Sequence, residues 1–136
     1  MTLPFRKILS LILFFLILIQ CSEKNSEEYV REGLEYLKHE QYDSARESFL
    51  KAIENDTNNS EGYYSLGGIY NYQKKFKKAE QAFKSVLEID PTHHNAWYSL
   101  GFTYELMGKK EKAEESYKKY HRLKDKMDSL VSQEKH

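Results

Sequence analysis

The chain has 136 residues, 31% of them charged, with 21 basic and 21 acidic side chains and a formal net charge of zero. A neutral chain has no global pull toward nucleic acid, and its one cysteine excludes an intramolecular disulfide and a cysteine-rich zinc site. Two prolines, 11 tyrosines, 7 phenylalanines and abundant Glu, Lys, Leu and Ala favour helices packed through aromatic rings.

Residues 1–20 read as a targeting segment and are set apart from the fold. Arg6 and Lys7 precede an uncharged run, Ile8 to Ile19, made almost wholly of Ile, Leu and Phe. The run is about 12 residues long, against about 20 for a membrane-spanning helix, so it predicts an export signal and not a permanent anchor. It ends in Leu18-Ile19-Gln20-Cys21 and passes directly to Ser22-Glu23-Lys24-Asn25. These residues resemble the lipobox of bacterial lipoproteins, with Leu18 three places before the cysteine and Gln20 where that family has Gly, Ala or Ser. The resemblance implies cleavage before Cys21, lipidation of its thiol, a short linker over 21–25, and a membrane-anchored lipoprotein of the cell envelope, on its periplasmic or outer-membrane side. The alternatives are an uncleaved anchor, or plain export with an incidental cysteine. Without Arg6 and Lys7 the chain keeps 19 basic residues against 21 acidic ones.

From residue 26 to 127 the chain repeats with a period of 34. Gly33, Gly67 and Gly101 form one series, Ala45, Ala79 and Ala113 another, and Tyr36, Tyr70 and Tyr104 a third. Aromatic rings recur at Tyr29, Tyr63 and Trp97, and at Phe49, Phe83 and Tyr117. The units are 26–59, 60–93 and 94–127, each long enough for two helices of about 12 to 14 residues. Tyr63, Leu66, Gly67 and Tyr70 share one helical face, and Ala79, Phe83, Val86 and Leu87 share another. Small residues in both helices predict a close crossing at which Gly and Ala face each other. Breaks are expected at Gln41, Asn71-Tyr72-Gln73 and Gly108 within units, and at Asn55 to Asn59 and Asp90-Pro91-Thr92 between them. The lysines at 74, 75, 77 and 78 read as a solvated helix start. Leu123, Met127, Leu130 and Val131 continue an apolar face with no Gly or Pro after Lys109. This predicts an extended final helix or a short separate cap, including residues 128–136, that covers the open end of the stack.

These series resemble the tetratricopeptide repeat, most fully in Trp97, Leu100, Gly101, Tyr104, Ala113 and Tyr117, and in Tyr63, Leu66, Gly67, Tyr70, Ala79, Phe83 and Pro91. The first unit has Glu32 where the family has Leu, and Thr57 where it has Pro. The resemblance implies an all-α, right-handed solenoid of three helix pairs with a C-terminal capping or extended helix. It also implies a concave groove lined by the first helix of each pair. The groove positions are Glu27, Val30, Leu34 and Leu37; Glu61, Tyr64, Gly68 and Asn71; and Asn95, Tyr98, Phe102 and Glu105. Members that grip a C-terminal carboxylate of a chaperone use Lys, Asn and Arg there. Val30 and Leu34 in the first unit, and the lack of Lys and Arg in the third, argue against that specificity.

No phosphate-cradling glycine loop, nucleophile elbow or paired-histidine zinc helix occurs, and no cofactor or metal is expected. His93 and His94 are adjacent in a loop without Cys or acidic partners, and His39, His121 and His136 read as solvent-facing or capping residues. The expectation is a non-enzymatic scaffold, tethered through Cys21, that binds a membrane-associated protein segment in its groove and binds no nucleic acid. Tyr64, Asn71, Asn95, Tyr98 and Phe102 are the residues expected to carry binding. Two other readings stand beside it: the aromatics pack mainly between repeats, or the groove holds a lipid, glycan or other hydrophobic ligand.

Overall fold

The computed structural model describes residues 24–133, so the targeting segment and Cys21 lie outside the described residues. Among the described residues six helices follow one another: α1 (Ser26–Lys38), α2 (Tyr42–Asn55), α3 (Ser60–Tyr72), α4 (Phe76–Ile89), α5 (His94–Leu106) and α6 (Lys110–Gln133). They pack as an all-α solenoid in which each helix meets chiefly its neighbours in sequence.

The helix starts alternate in kind. The first helix of every pair carries a side-chain N-cap one period apart: Asn25, Asn59 and His93 accept from the backbone N–H of Glu28, Gly62 and Ala96. Asn25 completes a capping box, because Glu28 in turn accepts from the Asn25 N–H at 3.0 Å. His93 thus has a structural role, its Nδ1 lying 3.1 Å from the Ala96 nitrogen.

The turns inside each pair share one backbone device. Glu40, Lys74 and Gly108 have φ of 57°, 58° and 72°, and stand 34 residues apart. The next residue's N–H reaches back to a tyrosine carbonyl: Gln41 to Tyr36 at 2.9 Å, Lys75 to Tyr70 at 2.8 Å, Lys109 to Tyr104 at 2.8 Å. This is the Schellman closure of a helix C-terminus. It narrows the expected second break, since α3 continues through Asn71 and Tyr72 and the turn is made at Gln73 and Lys74. Glu and Lys are not residues that announce a left-handed backbone, so composition gave no cue. Between pairs, the Asp56 and Asp90 carboxylates accept from the N–H of Asn58 and Thr92 and shape the turn with or without a proline.

The glycine series is explained by rings. A Cβ on Gly33, Gly67 or Gly101 would lie 2.7, 2.5 or 2.8 Å from a ring carbon of Phe49, Phe83 or Tyr117. The glycine therefore receives the aromatic ring of its own pair's second helix, and does not face the alanine as the sequence suggested. Two core clusters result. One joins Val30, Ala45, Phe49, Ala52, Leu66 and Ile69 with Ala82. The other joins Ala79, Phe83, Val86 and Leu87 with Ala96, Leu100, Tyr104 and Ala113. Leu66 and Leu100 are each 3% exposed, packed on the preceding pair. Glu32 stands at the equivalent place in α1, which has no described helix before it. There it accepts from Lys24 Nζ at 2.6 Å and Ser48 Oγ at 3.2 Å. The Lys24 hydrogen bond, against some burial, holds the Glu32 carboxyl below its ordinary pKa.

One polar cluster lies within this packing. Glu80 on α4 accepts from Lys84 Nζ (2.7 Å), Tyr104 Oη (3.1 Å) and Lys109 Nζ (3.2 Å), tying α4 to α5 and to the α5–α6 turn. Burial alone would raise its pKa, but the hydrogen bonds from Lys84, Lys109 and Tyr104 outweigh it and hold the carboxyl down at about 2.

The final helix is a single rod, yet the expected cap is not formed. Met127, Leu130 and Val131 are 43%, 53% and 47% exposed, and α6 packs chiefly on α5. With 24 residues against 13, α6 outruns α5 by about 16 Å at 1.5 Å per residue. Its far end has no helix beside it to cover among the described residues.

Candidate functional site: the concave groove

The first helices α1, α3 and α5 line one face, and their side chains enclose two adjoining hollows. The first, of about 360 Å³, is bounded by Leu34 and Leu37 of α1, Tyr42, Tyr64, Gly68 and Tyr72. The second, of about 510 Å³, lies between α3 and α5 and is bounded by Asn71, Phe76, Tyr98, Phe102 and Leu106. Gly68, Tyr72, Phe83 and Ser99 border both, so the hollows form one channel across the middle pair.

Gly68 forms the floor between them. A Cβ there would meet nothing within 4 Å, in contrast to its neighbour Gly67. In the same register, α1 presents Leu34 and α5 presents Phe102, 37% and 44% exposed. The middle of the channel is thus a gap between two apolar side chains.

Of the five residues singled out by sequence, Asn71, Tyr98 and Phe102 meet in the second hollow, and Tyr64 lies in the first. Asn95 is exposed in the first turn of α5 and borders neither. Their surroundings differ. Phe102 has no ring partner among the described residues, whereas Tyr98, half exposed, leans on Tyr117 and Tyr120 with centroids 5.5 and 5.2 Å apart. Tyr64 is half-buried against Phe83 (5.7 Å) and His93 (5.2 Å), with its hydroxyl 3.4 Å from Ser99 Oγ. Asn71 donates through Nδ2 to the buried Thr103 hydroxyl at 2.9 Å, and that hydroxyl donates to the Ser99 carbonyl at 2.8 Å. The amide is fixed from behind, with acceptor capacity left on Oδ1.

Tyr42 and Tyr72 were not anticipated. Their rings stack at 4.3 Å and 24°, with Tyr72 67% exposed, and form one wall of the first hollow. The period carried a signal for the wall, because Tyr42 and Phe76 stand 34 residues apart at the start of successive second helices. Beside Tyr98, Tyr117 donates to Glu105 at 2.9 Å; burial first, then this bond to a carboxylate, pushes the phenol up to about 12. Glu61 and Lys74 are the charged residues on the channel's borders.

Among the described residues, no group of three or more His, Cys, Asp or Glu side chains is placed to hold a metal ion. No described helix is long and apolar enough to cross a membrane.

Comparison with known proteins agrees with this architecture. Tetratricopeptide repeat models match residues 29–59, 60–93 and 82–115, the last running out of register from α4 into α6. A search of curated proteins found no match. Among solved structures, a crystal structure of MamA is 26% identical with a TM-score of 0.75, over 77% of this chain and 61% of that one. The chain therefore spans less than two thirds of the MamA structure. The second TPR of Spaghetti (RPAP3), solved bound to the HSP90 peptide SRMEEVD, is 19% identical with a TM-score of 0.70, over 72% of this chain and 91% of that one. The first TPR of the same protein, with the same peptide, is 22% identical with a TM-score of 0.71, over 77% and 83%. At those identities the two show likeness of fold. With three matched repeats, the ring-and-glycine packing that sets their period, and a shared solenoid, the chain belongs to the tetratricopeptide repeat family.

Proposed function

We propose that this domain is a protein-interaction module that takes an apolar, extended or helical segment of another protein into its concave channel. The observation that carries this reading is the channel itself. Leu34, Tyr98, Phe102 and Leu106 stay 37 to 50% exposed around the open floor at Gly68, where the fold has no use for that apolar area. The peptide complexes of Spaghetti support a protein ligand in a domain of this shape. A carboxylate clamp is not part of the proposal, because the channel walls are apolar and aromatic.

Phe102 gives the cleanest test, since it is exposed and its loss leaves the core untouched. A photocrosslinker at position 102 should capture a protein that one at Glu88, on the far side of α4, does not. Phe102→Ala should weaken that complex roughly thirtyfold, the effect of removing about 2 kcal/mol of interface aromatic. Equal capture from both positions, or a co-purifying lipid or glycan in place of a protein, would overturn the reading.

We further propose that the module works in the bacterial cell envelope as a scaffold or assembly factor tethered by lipid on Cys21. The apolar run ending at the lone cysteine supports this. Residues 22–25 span at most about 14 Å, so a tethered domain would act on a membrane-associated partner. Mass spectrometry of the membrane fraction should find an acylated N-terminal cysteine; an unmodified mature chain starting elsewhere would refute the tether.

A further inference from the structure

The overhang of α6 presents a second surface, separate from the channel. Along α6, Ala113 and Ser116 are buried and Tyr120 is half-buried, its ring 5.2 Å from that of Tyr98 and 6.1 Å from that of His94 at the start of α5. The same face then passes the end of α5 and continues as Leu123, Met127 and Leu130, with Val131 beside them. The steps from 113 to 130 alternate 3 and 4, the spacing of a helix-pairing seam. Past Leu123, which is half-buried, the seam is exposed.

The charges beside the seam identify its occupant. On a helical wheel, Lys119, Lys126 and Arg122 flank one side, and Lys124 and Asp128 the other. Lys119 is paired with Glu115 at 3.5 Å, while Arg122, Lys124 and Lys126 make no ion pair among the described residues. Asp125 lies on the opposite face. With Lys119 neutralised by Glu115, three basic groups, Arg122, Lys124 and Lys126, stand against Asp128 and select a partner with acidic flanks. They also oppose a second copy of this chain. An antiparallel pair centred on Met127 would set Lys126 against Lys126, and a parallel pair would set Lys119 against Lys124.

We propose that the α6 overhang is a docking seam for an amphipathic helix of a partner protein, one whose leucine-type stripe is bordered by Glu or Asp. The incoming helix would lie end-on to α5 and continue the packing that α5 begins. Its apolar stripe would cover Met127, Leu130 and Val131, and its acidic flanks would meet Lys124 and Lys126.

Two synthetic heptad peptides of identical leucine seam, one with Glu and one with Lys at the flanking positions, serve as probes against the full chain. The Glu peptide should bind at least about tenfold tighter than the Lys peptide, with the gap narrowing at high salt. Met127→Glu with Leu130→Glu should abolish its binding without moving the melting curve, because both residues are exposed. Lys124→Glu with Lys126→Glu should reverse the peptide preference. Failure of the Glu peptide to bind, equal binding of both peptides, or retention by the Met127→Glu, Leu130→Glu variant would overturn the proposal. So would a wild-type dimer that this variant dissociates, or binding to phosphatidylserine vesicles that it abolishes with no peptide bound.

Discussion

Replacing Gly67 by alanine, and in a separate variant Gly68 by alanine, should move stability in opposite directions although the two residues are adjacent in α3. Alanine is favoured over glycine in a helix interior by about 1 kcal/mol, and both variants receive that gain. At Gly68 nothing opposes it, since a Cβ would meet no atom within 4 Å. At Gly67 the Cβ would sit 2.5, 2.6 and 2.8 Å from Cε1, Cζ and Cδ1 of Phe83, about 1 Å inside ordinary carbon contact. Phe83 is 2% exposed and cannot swing aside without disturbing the core around Val86 and Leu100. Overpacking of this kind costs about 1 to 3 kcal/mol or more, so the Gly67 variant should lose about 1 to 2 kcal/mol net. For a domain of this size each kcal/mol moves Tm by about 4 to 6 °C, which separates the variants by roughly 10 °C. Urea and thermal unfolding followed by circular dichroism would measure both. A Gly67→Ala protein as stable as wild type, or a Gly68→Ala protein less stable than wild type, would refute the ring-and-glycine account of the period.

The Glu80 cluster predicts a pH dependence. Its folded pKa of about 2 lies below the ordinary 4.5, so its contribution is present in full above pH 4.5 and is lost as pH falls toward 2. Wild type should exceed Glu80→Gln by on the order of 2 kcal/mol at pH 7, and the difference should shrink below pH 4.5; a pH-independent difference in urea midpoints would contradict the assignment. At the left-handed turn residue Glu40, glycine relieves backbone strain of about 1 to 2 kcal/mol and costs some unfolded-state entropy. Glu40→Gly should therefore gain about 0.5 to 1 kcal/mol in the same unfolding assay, and a loss would show that φ of 57° is not strained there.

The architecture was legible because its period is written in side chains that must recur. A ring at 49, 83 and 117 needs a glycine opposite it at 33, 67 and 101, and no other residue fits. What faced the glycines was not legible, since a period reveals which positions matter and not which pairs touch. The turn residues Glu40 and Lys74 stayed hidden because their backbone is imposed by the tyrosine-carbonyl closure and not by their own preference. Within the channel, helical spacing placed Tyr64, Asn71, Tyr98 and Phe102 on the right face, but not the degree to which Tyr64 is claimed by Phe83 and His93. Asn95 shared the spacing and yet stands at the helix entrance, beyond both hollows. The stripe from Leu123 to Val131 suggests a cap in the sequence because an apolar face implies a cover. Spacing cannot say whether the cover belongs to the same chain.

Glu32 bears on how such stacks end. Leu66 and Leu100 are the positions through which one pair seats on the pair before it, and a leucine at 32 would offer that same seat to the trailing surface of another molecule. Joined in this way, copies would add without limit, because the contact is head-to-tail and does not close on itself. A carboxylate at 32, held by Lys24 and Ser48, makes the leading edge a poor seat for an apolar partner. One side chain thereby makes head-to-tail addition of copies less favourable at the described edge where the repeat's own grammar would otherwise invite it.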